Sequence, residues 1–154
     1  QREASYRDIT WDDLLPRDWN PMAAFKGIDF SRLKDNDPRA TEALEKIKRA
    51  WDEAPVSTAL QGQRIRLPGF VIPLERQGKL TREFLLVPYF GACIHVPPPP
   101  SNQIVLVKYP KGVEMDALYE PFWIQGPLKV ESSSSELADA GYLMTADEVY
   151  AYQQ

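Results

Sequence analysis

The spacing of apolar residues in the first third of the chain is that of a helix. Four of them recur at i, i+4, i+7 and i+11, which places them on one helical face: Ala40, Leu44, Ile47 and Trp51. Asp37 and Pro38 supply an N-cap residue followed by proline at the first helical position, and Pro55 ends the pattern. The pattern predicts an amphipathic helix between Asp37 and Pro55.

A shorter helical signal lies nearer the start of the chain. Thr10 is followed three residues later by Asp13, which is the arrangement of a capping box, and Pro16 stops the segment. Together the two signals predict a helical N-terminal region over residues 1–54.

Beyond residue 60 the apolar period changes from helical to extended. Ile65 and Leu67 alternate with Arg64 and Arg66, so the two apolar side chains should point inward and the two arginines outward. Pro68–Gly69 interrupts this run, which favours a bulge or a sharp bend that curls the sheet.

Further runs of β-branched and aromatic residues predict additional strands. The predicted elements are strands over residues 70–74, 81–90, 103–109 and 121–130, a hairpin turn over 75–79, a short helix near 113–119, a serine-capped segment over 135–141 and a last strand near 149–150. Curled antiparallel strands with a small helix between the third and the fourth have the order of a five-stranded Greek-key barrel.

These elements predict an α+β fold in which the helical N-terminal region packs on a curled antiparallel five-stranded barrel (OB-like). The chain is expected to be a single domain over residues 1–154, with the β-barrel-like region over residues 55–154. A different small α+β barrel or sandwich is the alternative.

Composition and charge narrow the classes of partner. The 154 residues are 44% hydrophobic and 26% charged, which are the values of an ordinary globular protein. The formal net charge is -4, and the basic residues form no stripe along one face of a predicted element. Both observations argue against nucleic acid as a partner. The longest apolar runs are far too short for a transmembrane segment.

The candidate chemistry is concentrated in one short stretch. Cys93 and His95 are the single cysteine and the single histidine of the chain, and they lie two residues apart. In an extended segment such side chains share a face, with Cα atoms about 6.5 Å apart. A thiolate and an imidazole together suit zinc, or copper(I) if sulfur dominates.

Four prolines, Pro97–Pro100, follow this pair directly. Proline offers no N–H donor and holds φ near about -65°, so the run cannot continue a β-ladder. It predicts a stiff polyproline II rod that holds the peptide after His95 and exposes this part of the strand at a rim.

Two ligands do not complete a zinc site, because structural zinc has four protein ligands and catalytic zinc three. The remainder must come from carboxylates, from water or from a second chain. Glu75 and Glu83, which flank the hairpin turn, are candidates by topology. A two-fold homodimer that shares Cys93 and His95 from each protomer would give a complete S2N2 shell.

Three other interpretations of the pair remain open. Cys93 could be a buried core residue and His95 a hydrogen-bonded rim residue. Cys93 could instead be a nucleophile activated by His95 and oriented by Asn102, in a thiol-dependent hydrolase or transferase. This needs an electropositive setting, which Arg64, Arg66 or Arg82 could supply if the fold brings one close. Finally, the protein could be an adaptor without a small-molecule site.

Four stretches of the sequence resemble an uncharacterised bacterial family, domain of unknown function 3299. They are "LPGFVIPLE" (67–75), "EFLLVPYFGACIHVPPPPSNQIV" (83–105), "WIQGPLKVE" (123–131) and "AGYLMTADEVYAY" (140–152). The resemblance covers roughly residues 55–152, and its Cys-x-His-x-four-proline motif is distinctive.

The resemblance implies an exported or lipid-anchored envelope protein of Gram-negative bacteria. Some members are encoded beside ABC-type transporter components in loci that respond to zinc shortage, which implies a periplasmic accessory protein with a transporter partner and a zinc cofactor. Such a protein is made with a signal peptide, a segment that the sequence from Gln1 does not contain. The residues that match the motif are Cys93, His95, Pro97–Pro100, Asn102 and Gln103. In an oxidising compartment an unpaired thiol must be buried, metal-bound or used.

Overall fold

The computed structural model describes residues 6–20, 38–89, 99–114, 121–135 and 137–152, and about half of these lie in seven strands. The strands are β1 (Arg7–Asp8), β2 (Arg64–Gln77), β3 (Leu80–Val87), β4 (Val105–Glu114), β5 (Phe122–Ser134), β6 (Asp139–Thr145) and β7 (Glu148–Ala151). The described residues also contain one α-helix, α1 (Pro38–Asp52), and two 3-10 turns, Trp11–Leu14 and Ser101–Gln103.

The strands form a mixed sheet in the order β1-β2-β3-β4-β6-β5-β7, with an additional pairing of β2 with β5. The first half of β2, Arg64–Gly69, pairs with β5, and its second half, from Phe70, pairs with β3. The change of partner falls at Pro68–Gly69, where the sequence predicts a bend. A side chain at Gly69 would place its Cβ 2.8 Å from the carbonyl oxygen of Val87, so the bend brings β2 and β3 closer than any larger residue permits.

The predicted α+β fold, a helical N-terminal region on a curled antiparallel five-stranded barrel (OB-like), is wrong. The described residues are mostly β, with seven strands in a mixed sheet and a single helix. Two pairings, β1 with β2 and β4 with β6, are parallel. Arg7–Asp8 has no alternation of its own and becomes a strand by pairing with β2, where the Ile9 N–H donates to the Arg66 carbonyl at 3.1 Å.

Helix α1 is confirmed, and its predicted apolar face is correct at Ile47, which is buried, but wrong at Leu44. Ala43 and Ile47 are its buried residues, whereas Leu44 is 60% exposed. One residue step rotates a position by about 100° around a helix, so the helix packs on a face displaced from the one that the apolar spacing favours. Among the described residues, no helix has the length and apolarity needed to cross a membrane.

The hydrophobic core is built from alternate residues of the central strands. Ile65 and Leu67 are fully buried and Arg64 and Arg66 lie on the other face, as the alternation predicts. Fully buried side chains of β3, β5 and β6 pack in the same cluster: Phe84, Ile124, Leu128, Tyr142 and Met144.

The segment after β5 differs from its prediction. Ser135 Oγ accepts from the Leu137 and Ala138 N–H groups at 3.3 and 3.2 Å, and donates to the Ala138 carbonyl at 2.9 Å. Ser135 therefore stabilises the turn between β5 and β6 and caps no helix, since β6 begins at Asp139. Of the short helix predicted near 113–119, residues 113–114 belong to β4, and the rest lie outside the described residues.

Candidate functional site

Cys93 and His95 lie outside the described residues, as do all of residues 90–98. Their placement on one face of an extended segment therefore stays a prediction. The described residues include both flanks of this stretch. Leu86 of β3 lies opposite Val105 of β4 in an antiparallel ladder, so the two flanks leave the sheet at the same end.

Residues Pro99–Gln103 form the C-terminal flank, which we call the motif anchor. Pro100 has φ -55° and ψ 151°, close to polyproline II, as the proline run predicts. Pro99 and Pro100 are buried. The predicted exposure of the strand at His95 falls outside the described residues. The Gln103 N–H donates to the Pro100 carbonyl at 2.8 Å and closes a 3-10 turn directly after the last proline.

Asn102 joins the motif anchor to the segment that follows α1. Its side chain is fully buried, and Nδ2 donates to the Pro55 carbonyl at 2.8 Å. Its Oδ1 accepts no hydrogen bond from any residue in the described part of the chain. The Pro55 bond sets the orientation of the amide. The orienting role of Asn102 toward His95 in the thiol hypothesis stays a hypothesis.

Gln103 joins the motif anchor to the N-terminal 3-10 turn. Its Nε2 donates to the Trp11 carbonyl at 2.8 Å and to the Asn102 carbonyl at 3.0 Å. Trp11 is itself held, because its Nε1 donates to the Pro68 carbonyl at 2.8 Å. The indole also lies against the β2 bend, since a Cβ at Gly69 would be 2.9 Å from Trp11 Cζ2. The sequence contains no local signal for this bond.

Tyr142 of β6 connects the same parts of the molecule from the inside. Its fully buried hydroxyl donates to the Leu14 carbonyl at 2.5 Å and accepts from the Ser57 N–H at 2.8 Å. Burial raises the pKa of Tyr142, and the Ser57 hydrogen bond opposes this in part. Its neighbour Gly141 leaves no room for a side chain, because a Cβ there would lie 3.0 Å from the Ser101 carbonyl oxygen. Strand β6 therefore packs directly on the motif anchor.

A solvent-open cavity of about 700 Å³ lies beside the motif anchor. Carboxylates and serine hydroxyls dominate its polar lining: Asp52, Glu53, Glu131, Asp139, Ser101, Ser132, Ser133 and Ser134. Asp52 is paired with Lys48 at 2.7 Å and Glu131 with Lys129 at 3.1 Å. The cavity is thus rich in hydrogen-bond acceptors.

Glu75 and Glu83, the predicted carboxylate ligands, face each other across β2 and β3. Glu83 lies four residues before Val87, which is about 13 Å along a strand, so the pair is nearer the hairpin than the flanks of the motif. Over the described ranges, no group of three or more His, Cys, Asp and Glu side chains could hold a metal ion. Cys93 and His95 lie outside these ranges, so metal binding by this pair stays a prediction.

Arg66, one of the predicted sources of positive charge, is engaged elsewhere. It binds Asp8 through two hydrogen bonds of 2.7 and 3.0 Å, donates to the Tyr150 hydroxyl at 3.3 Å and lies 4.5 Å from the centre of the Trp123 ring. The guanidinium group lowers the pKa of Asp8 through these hydrogen bonds. This network joins β1, β2, β5 and β7, and no local pattern in the sequence indicates it, because its members are far apart in the chain.

The sequence matches the model of a family described as "Protein of unknown function (DUF3299)" over residues 11–151. A crystal structure of a DUF3299 family protein from Pseudomonas aeruginosa PAO1 is 45% identical, with a TM-score of 0.77, and the match covers 98% of this chain and 99% of that chain. An OBody bound to hen egg-white lysozyme is 14% identical with a TM-score of 0.39, covering 64% of this chain and 89% of that chain. Comparison with curated proteins gives no match.

Proposed function

Because the chain belongs to the DUF3299 family, which is described only as of unknown function, we propose its function from the Cys-x-His motif and the way its C-terminal flank is held. We propose that the protein is a periplasmic accessory or binding protein, linked to zinc homeostasis and to an ABC-type transport system. Cys93 and His95 bind the metal ion.

The observation that carries the proposal is the buried motif anchor. Asn102 and Gln103 tie this anchor to Pro55 and Trp11 through hydrogen bonds of 2.8 Å. A ligand pair held next to a rigid segment loses less conformational entropy when it binds an ion, so a rigid motif anchor favours high metal affinity. Prolines add to this effect, because each has its φ angle set in advance.

The donor set favours zinc for chemical reasons. A thiolate and a neutral imidazole are both zinc ligands, and zinc binding displaces the thiol proton. The ligands still needed come from water, from a carboxylate or from a second copy of the chain. If two copies share one ion through Cys93 and His95, zinc binding and dimer formation occur together.

The periplasmic and transport parts of the proposal are supported by the family resemblance and by the behaviour of thiols. A lone cysteine in an oxidising compartment is protected when a metal ion holds its thiolate. Zinc bound to Cys93 would therefore protect the protein as well as carry its function.

Zinc titration of purified protein tests the proposal, with Cys93→Ser and His95→Ala as the diagnostic variants. We expect one zinc ion per chain, or one per two chains if the ion is shared, and loss of binding in both variants. Glu75→Gln and Glu83→Gln test the predicted carboxylate ligands. Equal zinc stoichiometry in the wild type, Cys93→Ser and His95→Ala would remove the site from consideration. Sedimentation with and without zinc distinguishes the shared site from the single-chain site.

A further inference from the structure

The guanidinium group of Arg66 is held in place by residues that lie outside β1. It lies 4.5 Å from the centre of the Trp123 ring, and Tyr152 stacks on the same indole with ring centres 5.2 Å apart. Its Nη1 donates to the Tyr150 hydroxyl at 3.3 Å, and that hydroxyl donates to Gln125 Oε1 at 2.7 Å. These supporting residues belong to β5, to β7 and to the residue after β7, so the guanidinium keeps its support when β1 is removed.

The carboxylate that this guanidinium binds comes from residues Tyr6–Ile9, which we call the N-terminal strap. Asp8 accepts hydrogen bonds from Arg66 Nε and Nη2 at 2.7 and 3.0 Å, the two-bonded geometry typical of a guanidinium and a carboxylate. The Asp8 side chain is 64% exposed, and an ion pair this exposed contributes little to stability. Another carboxylate can therefore replace Asp8 on Arg66.

The N-terminal strap also lies along one edge of β2, at the end of the strand order. It runs parallel to β2 with Asp8 opposite Arg66, and the Ile9 N–H donates to the Arg66 carbonyl at 3.1 Å. The Ile9 side chain is 4% exposed and belongs to the hydrophobic core cluster. The chemistry that fits this edge is thus an extended segment in which an acidic residue precedes an apolar one.

The strap covers this edge only in part. Strand β1 pairs with Ile65 and Arg66, whereas β5 pairs with Arg64–Gly69 on the other side of the same segment. The other side-chain hydrogen bonds of the strap, from Tyr6 and Arg7, are exposed. Because the edge of a strand is a template for pairing, a longer extended segment can gain more main-chain hydrogen bonds here than the strap makes.

We infer that Arg66 and the adjoining edge of β2 form a docking site for an extended acidic segment of another protein, and that the N-terminal strap occupies this site in the free protein. The incoming segment replaces the strap as a parallel strand on β2. Its Asp or Glu side chain binds Arg66 above Trp123, and the apolar residue that follows fills the place of Ile9. Main-chain hydrogen bonds give affinity and the two side chains give specificity. The site uses no residue of the Cys-x-His motif, so it is independent of the proposed metal function.

A second copy of the chain is a poorer occupant than another protein. Its strap must leave one Arg66 in order to reach another, so exchange between two copies gains no contact at this site. A partner segment that is free beforehand has no such contacts to lose.

The test measures binding of a labelled, end-blocked peptide with the strap sequence "YRDIT" (residues 6–10) to the full chain by fluorescence anisotropy. We expect Asp8→Arg to bind the peptide at least about fivefold more tightly than the wild type, because Arg66 then repels the protein's own strap. Asp52→Arg is the matched control, since it makes the same charge change at an exposed ion pair of 2.7 Å with Lys48. It should bind the peptide as the wild type does.

Reversing the charge at residue 66 tests whether this side chain reads the peptide. A second peptide carries lysine in place of the aspartate. We expect Asp8→Arg to prefer the aspartate peptide and Arg66→Asp to prefer the lysine peptide. Circular dichroism checks the fold of each variant, and Asp8→Asn, which removes the charge and keeps the shape, replaces Asp8→Arg if that variant does not fold.

Two results would overturn the inference. Binding of the aspartate peptide that is absent or equal in the wild type, Asp8→Arg and Arg66→Asp would show that Arg66 and the edge of β2 are no docking site. Dimer formation by Asp8→Arg in sedimentation without peptide would assign the released edge to a second copy of the chain and not to another protein. Zinc titration of the same variants is expected to match the wild type, so failure of either proposal leaves the other standing.

Discussion

The Asn102 side chain donates a 2.8 Å hydrogen bond to the Pro55 carbonyl, which lies 47 residues earlier in the chain. The bond joins the segment after α1 to the motif anchor, in a place where the Asn102 side chain is completely buried. In such a place water cannot replace a lost partner, so this single amide holds two distant segments together.

Asn102→Ala should lower the free energy of unfolding by about 2 kcal/mol, because it leaves the Pro55 carbonyl without its donor and opens a small cavity. Urea unfolding followed by tryptophan fluorescence measures the change. Ser132→Ala, at an exposed serine of β5, is the control and should change stability by less than about 0.5 kcal/mol. A loss of that small size in Asn102→Ala as well would show that the bond contributes little.

Tyr142→Phe should also destabilise the protein by about 2 kcal/mol. The ring is kept, but the Leu14 carbonyl loses its donor and the Ser57 N–H loses its acceptor. Tyr150→Phe is the matched control, because its hydroxyl makes hydrogen bonds at the surface, where water substitutes for them. Thermal and urea unfolding of both variants provide the comparison. Equal losses of unfolding free energy would contradict the larger contribution expected of the buried Tyr142 hydroxyl.

The raised pKa of Tyr142 predicts a particular loss of stability at alkaline pH. The neutral phenol is favoured in the folded state, so its contribution is complete below the ordinary pKa of 10.0. Above that pH the unfolded chain loses the proton first, and the contribution falls until the folded-state pKa is passed. Unfolding free energies from pH 8 to about 11 should therefore decrease more steeply in the wild type than in Tyr142→Phe. Tyr6, whose pKa is also raised, is present in both proteins and cancels in the difference.

We expect Cys93 in the metal-free protein to have the ordinary thiol pKa of about 8.5. We also expect zinc to protect Cys93 from alkylation. Alkylation rates from pH 5 to about 10, with and without zinc, measure both effects. A midpoint below about 7, unchanged by zinc, would favour the thiol-dependent hydrolase or transferase. His95→Ala separates the cases further, because a thiolate stabilised by the imidazole would return to an ordinary pKa in that variant.

Elements whose signals are local in sequence were predicted well. Asp37, Pro38 and Pro55 bracket the helix that the structure shows as Pro38–Asp52, and Ile65 and Leu67 point inward as their alternation requires. Pro68–Gly69 was recognised as a bend because proline and glycine limit strand geometry wherever they occur. The family resemblance was confirmed, and the family match starts at residue 11, well before the predicted start near 55.

Features that depend on packing were predicted poorly. Leu44 fits the apolar spacing of α1 but is exposed, since the surface that the helix meets selects Ala43 and Ile47. The strand Arg7–Asp8 exists through its parallel pairing with β2, which no periodicity of two residues can indicate.

The amino-acid sequence by itself determined the location of α1, the inward face of β2 at Ile65 and Leu67, the family, and the two-residue separation of the thiol and the imidazole along the chain. Only the tertiary structure decided that β2 pairs with both β3 and β5, that the end of the proline run is buried, and that the Trp11 carbonyl accepts a hydrogen bond from Gln103. The physical reason is distance along the chain. Periodicity and turn chemistry act between neighbours, whereas a hydrogen bond across 92 residues forms only after the whole sheet has brought its ends together.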